Sequence, residues 1–190
     1  IESVLNQTFT DFELIVINDC STDKTEEILK GFEKLDERVK VHTNEVNLRL
    51  PSSLNKAISL AQGKYIARMD ADDICLPERL EKQYKFMKKH SHLSMSACKF
   101  YWYIDGEIVT NPMIQRLDSA SVNARLLFSN PICHPCMIMK TEVAKEMIEN
   151  RKMFLSHRCI RSFGGYAGQQ LARLENAIAR DSLTQRRKEE

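Results

Sequence analysis

The chain has 190 residues and a mass of 22.0 kDa, with 43% hydrophobic residues, 28% charged residues and a formal net charge of +2. This composition is sufficient for the core of one soluble domain, and it excludes collagen-like, disordered and disulfide-scaffold proteins. No segment approaches the roughly 20 apolar residues that a membrane-spanning helix needs, and the first residues show no secretory signal.

Charge is distributed unevenly along the chain. Residues 151–190 contain nine basic and four acidic residues, a balance of +5, whereas residues 1–150 carry −3. The step predicts a boundary near residue 151, with one domain over 1–150 and a basic helical tail over 151–190. An acidic or nucleic-acid partner would fit such a tail, and a solvated helix with surplus Arg is the simpler interpretation.

Short β-branched runs alternate with amphipathic segments. Buried or alternating runs predict strands at 12–17, 39–43, 65–69, 94–103 and 137–139. Helical periodicity predicts helices at 23–34, from Pro51 or Ser52 to a cap at Gly63, and at 77–90, 119–128 and 141–150. Asp23 with Glu26 resembles a capping box, and Thr141 is expected to cap the last of these helices. Strands joined by helices predict βαβ crossovers and an α/β fold with a parallel sheet.

The cysteines are scattered, and reduced thiols are the expectation for them. They are Cys20, Cys75, Cys98, Cys133, Cys136 and Cys159. The sequence shows no secretory signal that would favour disulfides. Only Cys133-His134-Pro135-Cys136 has a suggestive spacing. It lacks the second ligand pair of a structural zinc site, so a metal or redox role is the less favoured interpretation.

Acidic residues follow two of the predicted strands. Asp19 follows the first, and Asp70, Asp72 and Asp73 follow the third. In an open parallel sheet, ligands bind where strands end at their carboxyl edge. Three carboxylates within four positions repel one another unless a cation compensates, and a helix cap needs only one Asp. A hard divalent ion such as Mg²⁺ or Mn²⁺, shared with the phosphates of a nucleotide, is the expected compensation.

These residues carry a resemblance to a known family. Residues 3–9, 13–23, 63–73 and 130–135, in this order and spacing, resemble family 2 glycosyltransferases of the GT-A fold over residues 1 to about 150. The resemblance implies a Rossmann-like three-layer α/β sandwich with a mainly parallel sheet. It implies transfer of a sugar from a nucleotide-sugar donor, commonly UDP-linked, to a saccharide or lipid-linked acceptor in cell-surface polysaccharide biosynthesis. It also implies a cytoplasmic location, with attachment to the inner face of the membrane as an alternative.

The resemblance implies roles for matched residues. Asp19 would contact the nucleotide base. Asp70 and Asp72 would form the DxD pair, with Asp72 a ligand of Mg²⁺ or Mn²⁺ and Asp70 reaching the metal or the ribose. Arg68 would face the diphosphate or, on an alternating strand, point elsewhere. His134 would line the acceptor side or serve as a packing residue.

The chain also departs from the family pattern. The family opens with an apolar strand that residues 1–190 do not contain, so the domain is expected to be truncated at its N-terminus. Cys20 and Arg49 stand where the family places glycines. Glu142, Glu146 and Glu149 lie on one face of a predicted helix and are interpreted as exposed, so the catalytic base stays unknown. A nucleotide-sugar-binding fragment without turnover is therefore the alternative to an active transferase.

The tail carries a separate resemblance. Residues 153–180, through Phe163-Gly164-Gly165-Tyr166-Ala167 and 169–174, resemble an interior piece of predicted nucleotidyltransferases of the polymerase-β-like superfamily, which indicates a segment of different origin. No catalytic carboxylate pair of that family accompanies it, so no activity is carried over. Nucleic-acid binding through the basic tail is a further hypothesis, and its few aromatic residues disfavour a base-stacking surface.

Overall fold

The structure is a computed structural model, and it describes residues 1–105, 107–110, 121, 122, 124 and 132–149. The helices are α1 (Glu2–Leu5), α2 (Thr25–Leu35), α3 (Arg49–Leu60), α4 (Arg79–Lys89) and α5 (Thr141–Glu149). The strands are β1 (Leu14–Asn18), β2 (Val39–Thr43), β3 (Tyr65–Ala67), β4 (Met95–Ala97), β5 (Tyr101–Ile104), β6 (Glu107–Thr110) and β7 (Met137–Lys140). A 3₁₀ turn spans His134–Cys136.

Several predictions concern residues that the structure does not describe. The basic tail with its glycine cluster, the boundary near residue 151 and most of the predicted helix at 119–128 lie outside the described residues. Within those residues, no helix is both long and apolar enough to cross a membrane.

The first sheet is a βαβ unit, as the alternation of strands and helices predicted. β1 and β2 pair in parallel, with Leu14 opposite Val39 and Asn18 opposite Thr43. α2 connects them and packs on β2, while α3 packs on β1. Both strands therefore end together, which brings the residues after Asn18 and Thr43 to one edge.

The second sheet has β7 at its centre. β3 and β4 pair with opposite sides of β7, and both pairings are antiparallel. β7 runs antiparallel to β3. It starts beside the end of β3, where the Arg68 amide donates to the Met137 carbonyl at 3.0 Å. The predicted α/β class is confirmed, and within the described residues parallel pairing is confined to β1 and β2.

Helices cover both faces of β7, which gives the three layers. Met137 and Met139 point into one core with Ile58 of α3 and Ala144 of α5. Ile138 points the other way, onto Met87 and Leu93. The period of two along a strand explains why successive residues of β7 enter different cores.

β1, β2 and β7 were predicted more accurately than the helix ends, whereas β3 ends at Ala67 and the single strand predicted at 94–103 is two strands, β4 and β5. α2 has Lys24 at its N-cap and no side-chain cap, so the predicted capping box is wrong; the Asp23 carboxylate instead accepts from the Thr25 amide at 3.0 Å. α3 starts at Arg49, two residues before Pro51, because proline is tolerated in a first helical turn.

Gly63 and Thr141 do not cap their helices. The C-cap of α3 is Ala61, and the Gly63 amide donates to a Glu13 carboxylate oxygen at 3.1 Å. The Thr141 hydroxyl donates to the Gly63 carbonyl at 2.5 Å instead of capping α5. Both residues therefore join separate parts of the chain.

A cavity of about 420 Å³ separates the two sheets. Leu14 and Ile15 of β1 line one side, and Tyr65 and Ile66 of β3 line another. Among the described residues no hydrogen-bond ladder joins β1 to β3.

Candidate active site

Glu13 connects the start of β1 to the segment before β3. Its carboxylate oxygen Oε1 accepts from the amides of Gln62 at 2.7 Å and Gly63 at 3.1 Å, just before β3. Its other oxygen accepts from Lys40 Nζ at 2.8 Å. Burial alone would raise the pKa of Glu13, but the Lys40 bond and the two amides lower it. Glu13 thereby joins the backbone just before β1 to the backbone just before β3, while Asp19 and Asp70 come after the other ends of these strands.

Asp19 is held at the end of β1 by donors from the loop after β2. Its Oδ1 accepts from Asn44 Nδ2 and from the Leu48 amide, both at 2.8 Å. These bonds, that of Asn44 first, hold the pKa of Asp19 below its ordinary value. The carboxylate is therefore fixed and ionised at neutral pH.

Asn44 extends this arrangement onto α3. It is 3% exposed, and its Nδ2 also donates to Ser53 Oγ at 2.9 Å. Lys56 Nζ donates to Asn44 Oδ1 at 2.7 Å. The sequence reasoning missed Asn44, Ser53 and Lys56. Asn44 follows β2 directly, as Asp19 follows β1, and that parallel was the signal that could have found it.

Two residues beside Asp19 adopt left-handed backbone conformations. Cys20 has φ 63° and Arg49 has φ 64°. At both positions the sequence comparison had noted the loss of a glycine. A non-glycine residue with positive φ costs on the order of 1–2 kcal/mol. The turns around Asp19 thus keep a glycine-like backbone at the cost of strain.

Arg68 faces Asp70, and its predicted approach to the diphosphate stays a prediction. Its Nη2 donates to Asp70 Oδ1, and the two side chains are 14% and 37% exposed. Burial raises the pKa of Asp70; the Arg68 charge opposes this, and the charges of Asp73 and Asp72 add to it. Asp72 and Asp73 themselves are exposed.

Arg79 fixes the backbone behind this acidic loop. Its Nη2 donates to the carbonyls of Arg68 and Pro135, each at 2.7 Å, and its Nε donates to Gln83 Oε1 at 3.1 Å. Gln83 in turn donates to the Cys136 carbonyl at 2.9 Å. Arg79 therefore joins the end of β3 to the 3₁₀ turn, a role that the sequence reasoning did not identify.

His134 lies in that 3₁₀ turn and lines the cavity with Arg68 and Arg79. Both ring nitrogens are buried from solvent. The structure thus brings His134 near Arg68, while the acceptor role stays a prediction.

The side chains that follow β3 determine which kind of metal site could form there. No group of three or more His, Cys, Asp or Glu side chains in the described part of the chain could hold a metal ion. Asp70 and Asp72 do fit the arrangement in which Mg²⁺ takes one or two carboxylates and completes its shell with water and substrate phosphates. They do not fit a closed site built from protein ligands alone.

The glutamates of α5 are exposed, as predicted. Glu142, Glu146 and Glu149 are all exposed, and Glu142 forms a 3.8 Å ion pair with Lys140. None of them is assigned as a catalytic base.

Comparison with known proteins agrees with this geometry. The family model described as glycosyl transferase family 2 matches residues 1–148. An uncharacterized glycosyltransferase of Methanocaldococcus jannaschii is 35% identical over 84% of this chain and 58% of its own length. The O-antigen biosynthesis glycosyltransferase WbnJ of Escherichia coli is 36% identical over 75% of this chain and 56% of its length. The chain thus spans little more than half the length of these relatives.

A solved structure supports the fold. The crystal structure of S. aureus TarS residues 1–349 in complex with UDP matches with a TM-score of 0.63 and 24% identity. The match covers 86% of this chain and 48% of that one. At this identity the likeness supports the fold alone, and it confirms the fold expected from the sequence.

Proposed function

Because the chain belongs to glycosyl transferase family 2, we propose that it binds a nucleotide-sugar donor across the carboxyl ends of β1 and β3. The observation that supports this is the bonding of Glu13 to the amides before β3, which brings the starts of β1 and β3 together, with Asp19 and Asp70 following the other ends of the two strands. Ligands of open α/β sheets bind at this edge.

Asp19 is proposed to recognise the base of the donor. A carboxylate held ionised can accept a hydrogen bond from the ring N–H of uracil, and UDP is the nucleotide in the TarS complex. Asn44 and the Leu48 amide would fix the position of that carboxylate before the ligand arrives. A preset acceptor loses less entropy on binding than one that must be ordered.

Asp70 and Asp72 are proposed to hold Mg²⁺ or Mn²⁺ together with the donor diphosphate. When bound, the ion would supply positive charge against the negative charge that develops on the departing diphosphate. Asp72 is exposed and can reach a ligand, whereas Asp70 is held by Arg68. Arg68 would orient Asp70 and add a second positive charge near the phosphates.

Calorimetry with UDP tests this proposal. We expect the full chain to bind UDP in the presence of Mn²⁺ and to bind at least about tenfold more weakly without it. Asp72→Asn should lose the Mn²⁺-dependent part, and Asp73→Asn, its exposed neighbour, should keep it. Absence of any nucleotide diphosphate binding by the folded chain would contradict the proposal.

The acceptor is proposed to be a saccharide or a lipid-linked sugar of a cell-surface polysaccharide. The support is the name of a relative, an O-antigen biosynthesis enzyme. The cytoplasmic location, with contact to the inner face of the membrane as its alternative, stays a prediction.

Donor binding without turnover is the second candidate function. It is favoured by the exposure of Glu142, Glu146 and Glu149, which leaves no described residue of α5 placed as a general base. Release of UDP from a UDP-sugar by the full chain, measured in a coupled assay, would refute this alternative. Binding of UDP without any release would support it.

A further inference from the structure

The candidate site does not use a group of thiols that lies behind it. Cys98, Cys133 and Cys136 are far apart in the sequence or separated by a turn, yet the fold brings them together. The structure holds them as free thiols. No described group of three or more His, Cys, Asp or Glu side chains could hold a metal ion.

The register of β4 against β7 places Cys98 opposite Cys136. Ala97 pairs with Met137, so the next position along pairs residue 98 with residue 136. The Cys98 amide donates to the Cys136 carbonyl at 3.0 Å, which continues the ladder. Opposed residues of an antiparallel pair have Cα atoms about 4.5–5.5 Å apart. That separation lies within the roughly 4.4–6.8 Å that a disulfide spans without moving the backbone.

The 3₁₀ turn adds the third thiol. The Cys136 amide donates to the Cys133 carbonyl at 3.1 Å, which folds the turn back on itself. Cys136 is thus bonded through its backbone to both Cys133 and Cys98. Cys136 is buried, whereas Cys98 and Cys133 are partly exposed. A small reagent would therefore meet Cys98 or Cys133 before Cys136.

The surroundings of Cys98 favour its thiolate. The hydrogen bond from Cys136, followed by the Arg79 charge, outweighs burial and lowers the pKa of Cys98 to about 7. Arg79 is held in place by the carbonyls of Arg68 and Pro135. Burial raises the pKa of Cys75, which also lies beside Arg79. Thiolates are the attacking species in thiol–disulfide exchange, and Cys98, partly exposed and bonded through its amide to Cys136, is placed to attack first.

We propose that Cys98 and Cys136 form a reversible disulfide couple that exchanges with small-molecule disulfides such as glutathione disulfide. The Cys98 thiolate attacks one sulfur of glutathione disulfide, its S–S bond breaks, and one glutathione thiolate leaves and takes up a proton. Cys136 then loses its proton and attacks the Cys98 sulfur of the mixed disulfide, which releases the second glutathione. Two protein thiols are oxidised to one disulfide, and one glutathione disulfide is reduced to two thiols.

The couple would lie directly behind the candidate donor site. Arg79 contacts both the thiol group and the backbone of Arg68, whose side chain holds Asp70. Oxidation removes the thiolate that Arg79 faces and links β4 covalently to the start of β7.

Thiol mapping in glutathione buffers tests the proposal. The full chain is equilibrated at rising ratios of oxidised to reduced glutathione, alkylated, digested and examined by mass spectrometry without reduction. We expect Cys98 and Cys136 to lose reactivity together, a peptide pair linked through them to appear, and dithiothreitol to restore both thiols. Cys75→Ser is the matched control and should show the same loss.

The variant Cys98→Ser should leave Cys136 open to alkylation across the same buffers. If that variant fails to fold, the map of the unmodified chain still decides. Retention of both thiols in fully oxidised glutathione would overturn the proposal. A link from Cys98 to any cysteine other than Cys136, or a stable glutathione adduct on Cys98, would also overturn it.

Discussion

Asp19 lies directly after β1 and Asp70 lies three residues after β3, and the surroundings of the two carboxylates differ. Neutral donors, Asn44 and the Leu48 amide, bind Asp19 and lower its pKa. Asp70 is partly buried among charges, with Arg68 on one side and Asp72 and Asp73 nearby, and its pKa is raised.

This difference in surroundings suits the ends of β1 and β3 to different kinds of ligand group. At the end of β1, the hydrogen bonds that hold Asp19 are made within the protein, without a ligand. This end is suited to binding a group with a fixed arrangement of hydrogen-bond donors, such as the edge of a nucleotide base. The β3 end carries more negative charge than Arg68 neutralises, so it gains from a further cation. The predictions below change one end at a time.

The largest expected effect is on the backbone behind the β3 end. Replacing Arg79 by Met would leave the Arg68 and Pro135 carbonyls without their donor and should lower the free energy of unfolding by about 3 kcal/mol. Urea denaturation measures the change. Lys30→Met, which removes the exposed ion-pair partner of Glu26, is the control and should cost under about 1 kcal/mol. Equal losses for the two variants would contradict the role of Arg79.

The next effect concerns the β1 end. Asn44→Ala removes the shared partner of Asp19, Ser53 and Lys56 and should lower the free energy of unfolding by about 2 kcal/mol. It should also raise the pKa of Asp19, which NMR titration of the side-chain carboxyl would detect. Gln62→Ala, whose side chain makes no bond in this network, should change neither value. An unaltered Asp19 titration in Asn44→Ala would show that neutral donors do not set its charge.

Relieving the backbone strain near the end of β1 should raise the stability of the fold instead of lowering it. Cys20→Gly and Arg49→Gly should each stabilise the fold by about 1 kcal/mol, because glycine adopts positive φ without penalty. Thermal unfolding measures the gain. Ser21→Gly is the matched control at an ordinary φ and should destabilise, since it adds only freedom to the unfolded chain. Destabilisation by all three glycines would mean that the left-handed turns carry no strain.

The smallest effect is a pH dependence at the β3 end. A carboxyl group whose pKa is raised on folding stabilises the fold below its unfolded pKa, near 3.8, and this stabilisation is lost as pH rises through the folded value. Asp70→Asn should therefore gain stability relative to the unmodified chain as pH rises from acid to neutral. The expected gain is below about 1 kcal/mol, because the group is partly solvated. A relative loss on raising the pH would show that Arg68 outweighs burial.

Local patterns in the sequence were enough to predict much of the fold. β1, β2 and β7 lie where apolar runs placed them, since a buried strand must present apolar residues to its neighbours. Helix ends were less predictable, because tertiary contacts decided them. Gly63 forms hydrogen bonds with Glu13 and Thr141 instead of ending α3, and no local sequence pattern identifies those partners.

The residues of the candidate site were likewise only partly predictable from the sequence. The acidic residues were visible because they come soon after strands, Asp19 directly after β1 and Asp70 three residues after β3. The residues that position them were not, because Glu13, Asn44 and Arg79 act on partners far along the chain. The thiol group was missed for the same reason: Cys98 meets Cys136 only through the register of two strands.

The most direct test compares uridine and UDP binding by calorimetry in Asp19→Asn and Asp72→Asn, with and without Mn²⁺. The account predicts that Asp19→Asn weakens both ligands, and that Asp72→Asn weakens only UDP and only when Mn²⁺ is present. Equal loss of uridine and UDP in Asp72→Asn, or binding of UDP that ignores both Mn²⁺ and Asp72, would contradict the division between the two strand ends.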